Sequence, residues 1–257
     1  MTAFRNDTAD ASTAAAALDD GEVRIRPLTE LADHSAVVAL LGEIWGRPAN
    51  PPVTTELLRA LAKADHYVSG AFAGTRLVGA TIAFHGAPDR RILHSHIAGV
   101  DSEWAGRGIG YAMKLHQRAW AAERELEAIE WTFDPLVARN AHFNISKLGA
   151  FPAEYLVNFY GVMGDGLNGN DQTDRLLVRW AVGRDPESAR LPGDVSMLRA
   201  VAVPDDIEEL RRLDPERAGA WRRSVREELG GLMDAGGRVV GFERGRGYLV
   251  RLPGGER

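Results

Sequence analysis

Between Asp101 and His116 the sequence DSEWAGRGIGYAMKLH sets Gly106, Gly108 and Gly110 around Arg107 and passes at once into a helical pattern. A glycine-bearing turn ahead of a helix leaves backbone N–H groups at the positive end of the helix dipole. Where no Cβ stands in the way, an anion can approach them closely. The guest that suits this chemistry is a phosphate. The spacing is not that of a P-loop, since no Gly-Lys-Ser/Thr closes it, and it lacks the last interval of the dinucleotide fingerprint. Taken by itself, the loop reads equally well as a helix start that needs a flexible backbone. A second group of residues could move protons. In LHSHIAGV a period of two puts His94, His96, Ala98 and Val100 on one face of a strand. An imidazole titrating at about 6.5 suits a base working at neutral pH, the alternative being a histidine hydrogen-bonded within the sheet. Asp134, at the end of the next strand, is the rival base, or else a cap for the turn at Pro135. Tyr160 and Tyr155 are candidate acids, or else core aromatics. His94-x-His96 has no third ligand at a convincing spacing, so no metal is expected.

The elements that must position these residues follow from hydrophobic period and turn chemistry. EVRIRPL alternates as a half-buried strand. In HSAVVALLGEIWG the residues Val37, Leu40, Leu41, Ile44 and Trp45 form one helical face. TTELLRALAKA predicts a helix capped by Thr54 or Thr55. YVSGAFAGTRLVGATIAFH predicts a hairpin turning at Ala73-Gly74-Thr75, and RILHSHIAGV the strand that leads into the loop. The helix after the loop turns Ile109, Met113, Leu115 or His116, and Trp120 toward the core. LEAIEWTFDP predicts a strand, RNAHFNISKLGA a helix closed by Gly149, and NFYGVMG and DRLLVRWAV two more strands around the turn-rich DGLNGNDQT. The fold class is therefore α/β, a mixed sheet flanked by helices, over residues 22–183. Residues 1–21 read as a disordered tail and residues 184–194 as a polar connector. Residues 195–257 read as a small α/β extension packed on the core. It consists of a strand, one long helix from Asp205 or Asp206 to Asp234, and a strand pair. Along that helix Ala218, Trp221, Val225, Leu229 and Leu232 form a stripe, and the surrounding Arg and Glu residues read as a solvated face.

A chain of 257 residues that is 45% hydrophobic can bury a full core. Its formal charge of −5 argues against a nucleic-acid partner. No apolar run approaches the ~20 residues of a membrane helix, and no export signal is expected at the start. With no cysteine there is no thiolate nucleophile and no disulfide frame, which is compatible with the cytoplasm, the expected location. These points favour a small-molecule partner and leave the assembly open, with a homodimer as the state to test.

Together, GVDSEWAGRGIGYAMKLH, the strand before it, RNAHFNISKLGA and the hairpin containing RLVGATIAF resemble the GNAT superfamily of acyl-CoA-dependent N-acyltransferases. The family signature Arg/Gln-x-x-Gly-x-Gly/Ala falls on Ala105-Gly106-Arg107-Gly108-Ile109-Gly110. The resemblance implies a mostly antiparallel sheet flanked by helices, with acetyl-CoA or another acyl-CoA as co-substrate. It also implies that Val100 ends the strand whose backbone meets the pantetheine arm and acyl carbonyl. The amides of Gly106, Arg107, Gly108, Ile109, Gly110 and Tyr111 would cradle the pyrophosphate, with Asn140 beside the cofactor. Two positions depart from the pattern. Ala105 replaces the usual Arg or Gln, which leaves Arg107 as the loop's cation. Ile145 stands where many members carry a tyrosine acid. The reaction expected is acetyl or succinyl transfer to a primary amine such as an amino acid. Protein or peptide N-acetylation, or an acyl-CoA-binding module without catalysis, are the alternatives. Aminolysis of a thioester needs a deprotonated amine, an oxyanion donor and a proton for the leaving thiolate. His96, the Val100 amide and Tyr160 are the residues expected to fill these roles.

Overall fold

The computed structural model describes residues 23–161, 163, 171–183 and 198–253. The expected tail and connector lie outside them, as do Val162 and residues 164–170 of the turn-rich stretch. The chain divides into two compact units at Ile129/Glu130, inside the segment expected to be one domain.

In the first unit, four strands lie in the order β1 (Val23–Pro27), β2 (Tyr67–Ala73), β3 (Arg76–His85) and β4 (Ile92–Val100), each antiparallel to its neighbour. The β2–β3 hairpin closes on Gly74, whose φ of +58° is the left-handed value that such a tight turn demands. Helices α1 (Leu31–Ile44) and α2 (Thr55–Lys63) cover one face. There Val37, Leu41, Leu58, Val68, Ala80, Ile82 and Ile97 share one core cluster. Thr54 caps α2 by accepting the Leu57 N–H at 3.3 Å. The other face holds α3 (Ile109–Glu123), whose Ile109, Ala112 and Met113 pack with Ala71 and Val78. Glycines keep both layers close. A Cβ at Gly79 would stand 2.8 Å from the Met113 sulfur, and one at Gly99 would stand 2.9 Å from Ile44.

The second unit contains β5 (Ala128–Phe133) from its third residue on, β6 (Phe151–Leu156) and β7 (Arg175–Ala181), in the order β5-β7-β6. Helix α4 (Ala138–Ala141) continues as a π turn over His142–Lys147 and ends at Gly149, φ +71°. The strand expected in NFYGVMG lies earlier, at β6. Asn158 takes φ +46°, and its side chain and backbone are tied to Thr173 and Asp174, so residues 157–160 form a turn. A second antiparallel sheet has the order β8 (Leu198–Val201), β10 (Gly247–Arg251), β9 (Arg238–Glu243).

The single long helix expected there is interrupted. Helix α5 (Ile207–Leu213) ends at Asp214. That residue caps α6 (Pro215–Val225) by accepting the Arg217 N–H at 3.0 Å, and a π turn over Arg226–Gly230 then leads into α7 (Gly231–Asp234). Pro215 has no N–H to donate backward and pushes Asp214 out of helical geometry, so it sits at the first position of a new helix. Within this unit the Tyr248 hydroxyl donates to the Pro135 carbonyl at 2.7 Å, and the Ser146 hydroxyl to that of Phe242 at 2.7 Å. No helix among the described residues is long and apolar enough to cross a membrane.

Candidate active site

Local chemistry builds the glycine loop of the first unit. As β4 ends, Asp101 caps the short turn Ser102–Trp104, and Arg76 clamps that turn with 2.7 Å contacts to both Asp101 and Glu103. The chain then turns through Gly106 and Gly108, both at φ +79°, a conformation that favours glycine. Gly108 is the N-cap of α3 and supplies no side-chain acceptor, its carbonyl taking the Ala112 N–H at 3.0 Å. The first-turn amides of α3 thus face outward from the helix start. A Cβ at Gly106 would meet nothing within 4 Å, and one at Gly110 only the Val100 side chain at 3.9 Å. The Arg107 guanidinium stacks over the Trp104 ring at 4.6 Å. Helix-start amides beside unobstructed glycines, with one cation in the same turn, fit a pyrophosphate group.

Ladder geometry orients the adjoining backbone. Asp101 N–H bonds to the Val78 carbonyl at 2.9 Å, which makes 78 and 101 a hydrogen-bonded pair. Bonded and non-bonded pairs alternate in an antiparallel ladder, so Val100 opposite Gly79 and Ala98 opposite Thr81 direct their N–H and C=O away from β3.

The expectation that His94, His96, Ala98 and Val100 share a face does not hold. Ile82 pairs with Ile97 while Ala83 pairs with Ser95, so His96 is an extra residue, a β-bulge. Alternation restarts across it. Val100 opposes Gly79 on the α3 side, whereas His94 opposes Phe84 on the side of α1 and α2. The His96 ring lies 5.8 Å from that of Phe84 and 6.3 Å from that of His94. His96 keeps solvent access, and the water removed by its neighbours lowers its pKa, so the neutral imidazole prevails at pH 7.

In the second unit Asp134 is no base. Its carboxylate is buried and receives the Arg211 guanidinium at 2.5 Å, that of Arg222 at 3.1 Å, and the Leu136 N–H at 2.9 Å. Burial alone would raise its pKa. The charges and hydrogen bonds of Arg222 and Arg211 outweigh burial and hold the carboxyl below the usual carboxylate range. The charges expected to form a solvated helix face include these arginines. Arg211 and Arg222 also bind Asp171 at 3.2 and 2.9 Å, and Arg226 binds Asp174 at 2.7 Å.

Tyr155 donates to Asp174 at 2.9 Å, and burial together with that carboxylate pushes its pKa up. Tyr160 is accessible, its hydroxyl 3.2 Å from that of Thr132. Asn140 is half-buried in α4, and Ile145 is buried. Among the described residues no group of three or more His, Asp or Glu is placed to hold a metal.

Sequence reasoning missed Lys114 and Gln117, which are buried beneath α3. Their signal was available, because Gly110, Met113, Lys114, Gln117 and Ala121 follow the spacing of the helix face that meets the sheet.

The sequence model of the acetyltransferase (GNAT) domain matches residues 3–136. Among solved structures, a GNAT-family acetyltransferase from Streptococcus pneumoniae aligns with TM-score 0.53 at 15% identity, over 63% of this chain and 100% of that one. The ribosomal-protein-S18-alanine N-acetyltransferase of Escherichia coli aligns with TM-score 0.51 at 13% identity, over 63% and 96%. The yncA protein of Salmonella typhimurium, solved with its cofactor acetyl-CoA, aligns with TM-score 0.52 at 13% identity, over 64% and 96%. These likenesses show the fold. Comparison with curated protein sequences finds no match.

Proposed function

The chain belongs to the GNAT acetyltransferase family and is an acyl-CoA-dependent N-acetyltransferase, and from that premise we propose that it acylates a small primary amine, an amino acid foremost. The observation that carries the site assignment is the meeting of two features of the first unit. The open glycine turn stands at the start of α3, and beside it the end of β4 directs the backbone groups of Ala98 and Val100 away from β3.

In this reading Gly106, Arg107, Gly108, Ile109, Gly110 and Tyr111 hold the pyrophosphate and Val100 meets the pantetheine arm; Asn140 is kept as the cofactor residue that the resemblance implies. The acyl thioester supplies the electrophilic carbonyl. A backbone N–H of β4 stabilises the charge that develops on its oxygen. That donor is the Val100 amide or the Ala98 amide, which is nearer to His96. His96 takes the proton of the attacking amine, directly or through one water. Its lowered pKa supports this role by keeping the ring unprotonated, and the bulge presents it on the face opposite α3. Tyr160, an exposed residue of the second unit, is kept as the candidate donor to the leaving thiolate. The choice of an amino acid rests on the resemblance to the GNAT superfamily, some of whose members acylate free amino acids with succinyl groups.

The test is thiol release from acetyl-CoA and from succinyl-CoA across a panel of free amino acids, other small amines and peptides. Turnover with free amino acids above that with peptides is expected. Turnover confined to peptides would replace the acceptor proposed here, and binding of acyl-CoA without thiol release would make the chain a binding module.

A further inference from the structure

Beneath α3 lies a polar layer that an apolar core would do without. Lys114 donates to the Ser95 hydroxyl at 2.9 Å and to the Gln117 side-chain carbonyl at 3.1 Å. Lys114, Gln117, Ser95 and Thr81 are all buried, and Gln117 Nε2 and Thr81 Oγ1 have no hydrogen-bond partner among the described residues. Burial pushes the Lys114 amine down to about 7, the mark of an ammonium group held where water cannot solvate it. A methionine of similar length would fill the same space without that desolvation.

What the layer supplies is a link between two parts of the site. Lys114 stands little more than one turn into the helix that begins at the glycine loop. Ser95 directly precedes His96, the residue that bulges from β4. A bulge has lost the regular ladder, so side-chain contacts set its shape, and the Ser95 hydroxyl offers a hold on it.

We propose that Lys114 is a positioning residue for acyl transfer, holding through Ser95 the bulge that aims His96 relative to the backbone of Ala98 and Val100. The inference rests on the role given to His96 above. Lys114 acts at a distance from the reacting atoms, and it joins the helix that receives the pyrophosphate to the strand that carries the base.

The test compares Lys114→Met, Ser95→Ala and the double variant with the wild type. Coenzyme A affinity within threefold of wild type and an unchanged or higher melting temperature are expected. Turnover should fall about tenfold or more, since misplacement by a fraction of an ångström has effects of that order. The double variant should lose no more than the worse single one, the signature of two residues acting through one contact. In NMR spectra the His96 amide resonance should move in both single variants. Turnover within twofold of wild type, additive losses, or a loss that tracks falling stability and coenzyme A affinity would each overturn the proposal. Absence of turnover by the wild type would refute the acyl-transfer reading instead, and an unmoved His96 resonance would refute the link separately.

Discussion

Replacing Arg222 with methionine probes the buried ion cluster of the second unit. The Arg222 side chain is 2% exposed and contacts Asp134 at 3.1 and 3.4 Å and Asp171 at 2.9 Å. Methionine fills much of the space of the arginine stem and removes the charge. Asp134 then keeps Arg211 and the Leu136 N–H, and Asp171 keeps Arg211. Removing one partner of a buried pair costs about 3–5 kcal/mol because the remaining ion stays desolvated, and the surviving partners place this case near about 3 kcal/mol. For a chain of this size that corresponds to a melting temperature lower by roughly 6–12 °C. Differential scanning calorimetry at pH 7 reads it directly.

The pH dependence gives a second check. Asp134 has a folded pKa below its unfolded value, so its contribution is present above the unfolded carboxylate pKa and is lost as pH falls through the folded one. The gap between wild type and variant should therefore narrow on acidification below about pH 4. A melting temperature within 2 °C of wild type at pH 7, or a gap that widens in acid, would refute the account of the cluster.

Gly110→Asp should abolish acyl-CoA binding as measured by calorimetric titration while the melting temperature holds. The added Cβ makes only an ordinary contact with the Val100 side chain at 3.9 Å, and a carboxylate at a helix N-terminus suits the helix but repels pyrophosphate. His96→Gln should leave coenzyme A affinity nearly intact, lower turnover by ~10²-fold or more, and remove the acidic limb of the pH–rate profile; an unchanged profile would point to an amine that enters already deprotonated. Burial lowers the pKa of His66, His94, His96 and His116 in the fold. Their contribution to stability is thus present above the unfolded value of about 6.5 and is lost as pH falls through the lowered folded values. The melting temperature should drop between pH 7 and pH 5, and replacing His116 by Gln should reduce that drop.

What the sequence made legible was local. The glycine loop, the Thr54 cap, the Gly149 stop and the strands of the first unit each depend on residues within one turn or one hairpin of each other. The His96 bulge is different in kind. Nothing in LHSHIAGV itself marks an inserted residue, and only the register against β3 shows that one residue has no counterpart there. One inserted residue reverses the facing of everything on one side of it, which is why the shared face of His94 and Val100 failed. The break at Pro215 could have been read, since a proline inside a helical pattern ends the helix.

The arginines of the helical segment 207–230 could not have been assigned from their own pattern. Alternating Arg and Glu around an apolar stripe looks the same whether it meets water or buried carboxylates, and the partners of Arg211 and Arg222 at Asp134 lie 77 and 88 residues away. The hint was at the other end of the pair. Asp134 and Asp174 each adjoin a strand core, in TFDPL and TDRLLV, where an unpaired carboxylate would not be tolerated.

This pairing bears on what the segment after residue 195 does. The aligned structures match 63–64% of this chain while being covered almost throughout, so more than a third of the chain lies outside the fold they share with it. Within the second unit the segment from Leu198 on is tied to what precedes it by ion pairs and hydrogen bonds. Arg211, Arg222 and Arg226 bind Asp134, Asp171 and Asp174, and Tyr248 closes on the Pro135 carbonyl. Removing it would leave the buried carboxylates of Asp134 and Asp174 without these guanidinium partners, a cost that neutralisation of the acids relieves only at low pH. The aspartate that looked like a catalytic base is thus where the extension is anchored, and the base proposed for the reaction is His96, on the bulged strand of the first unit.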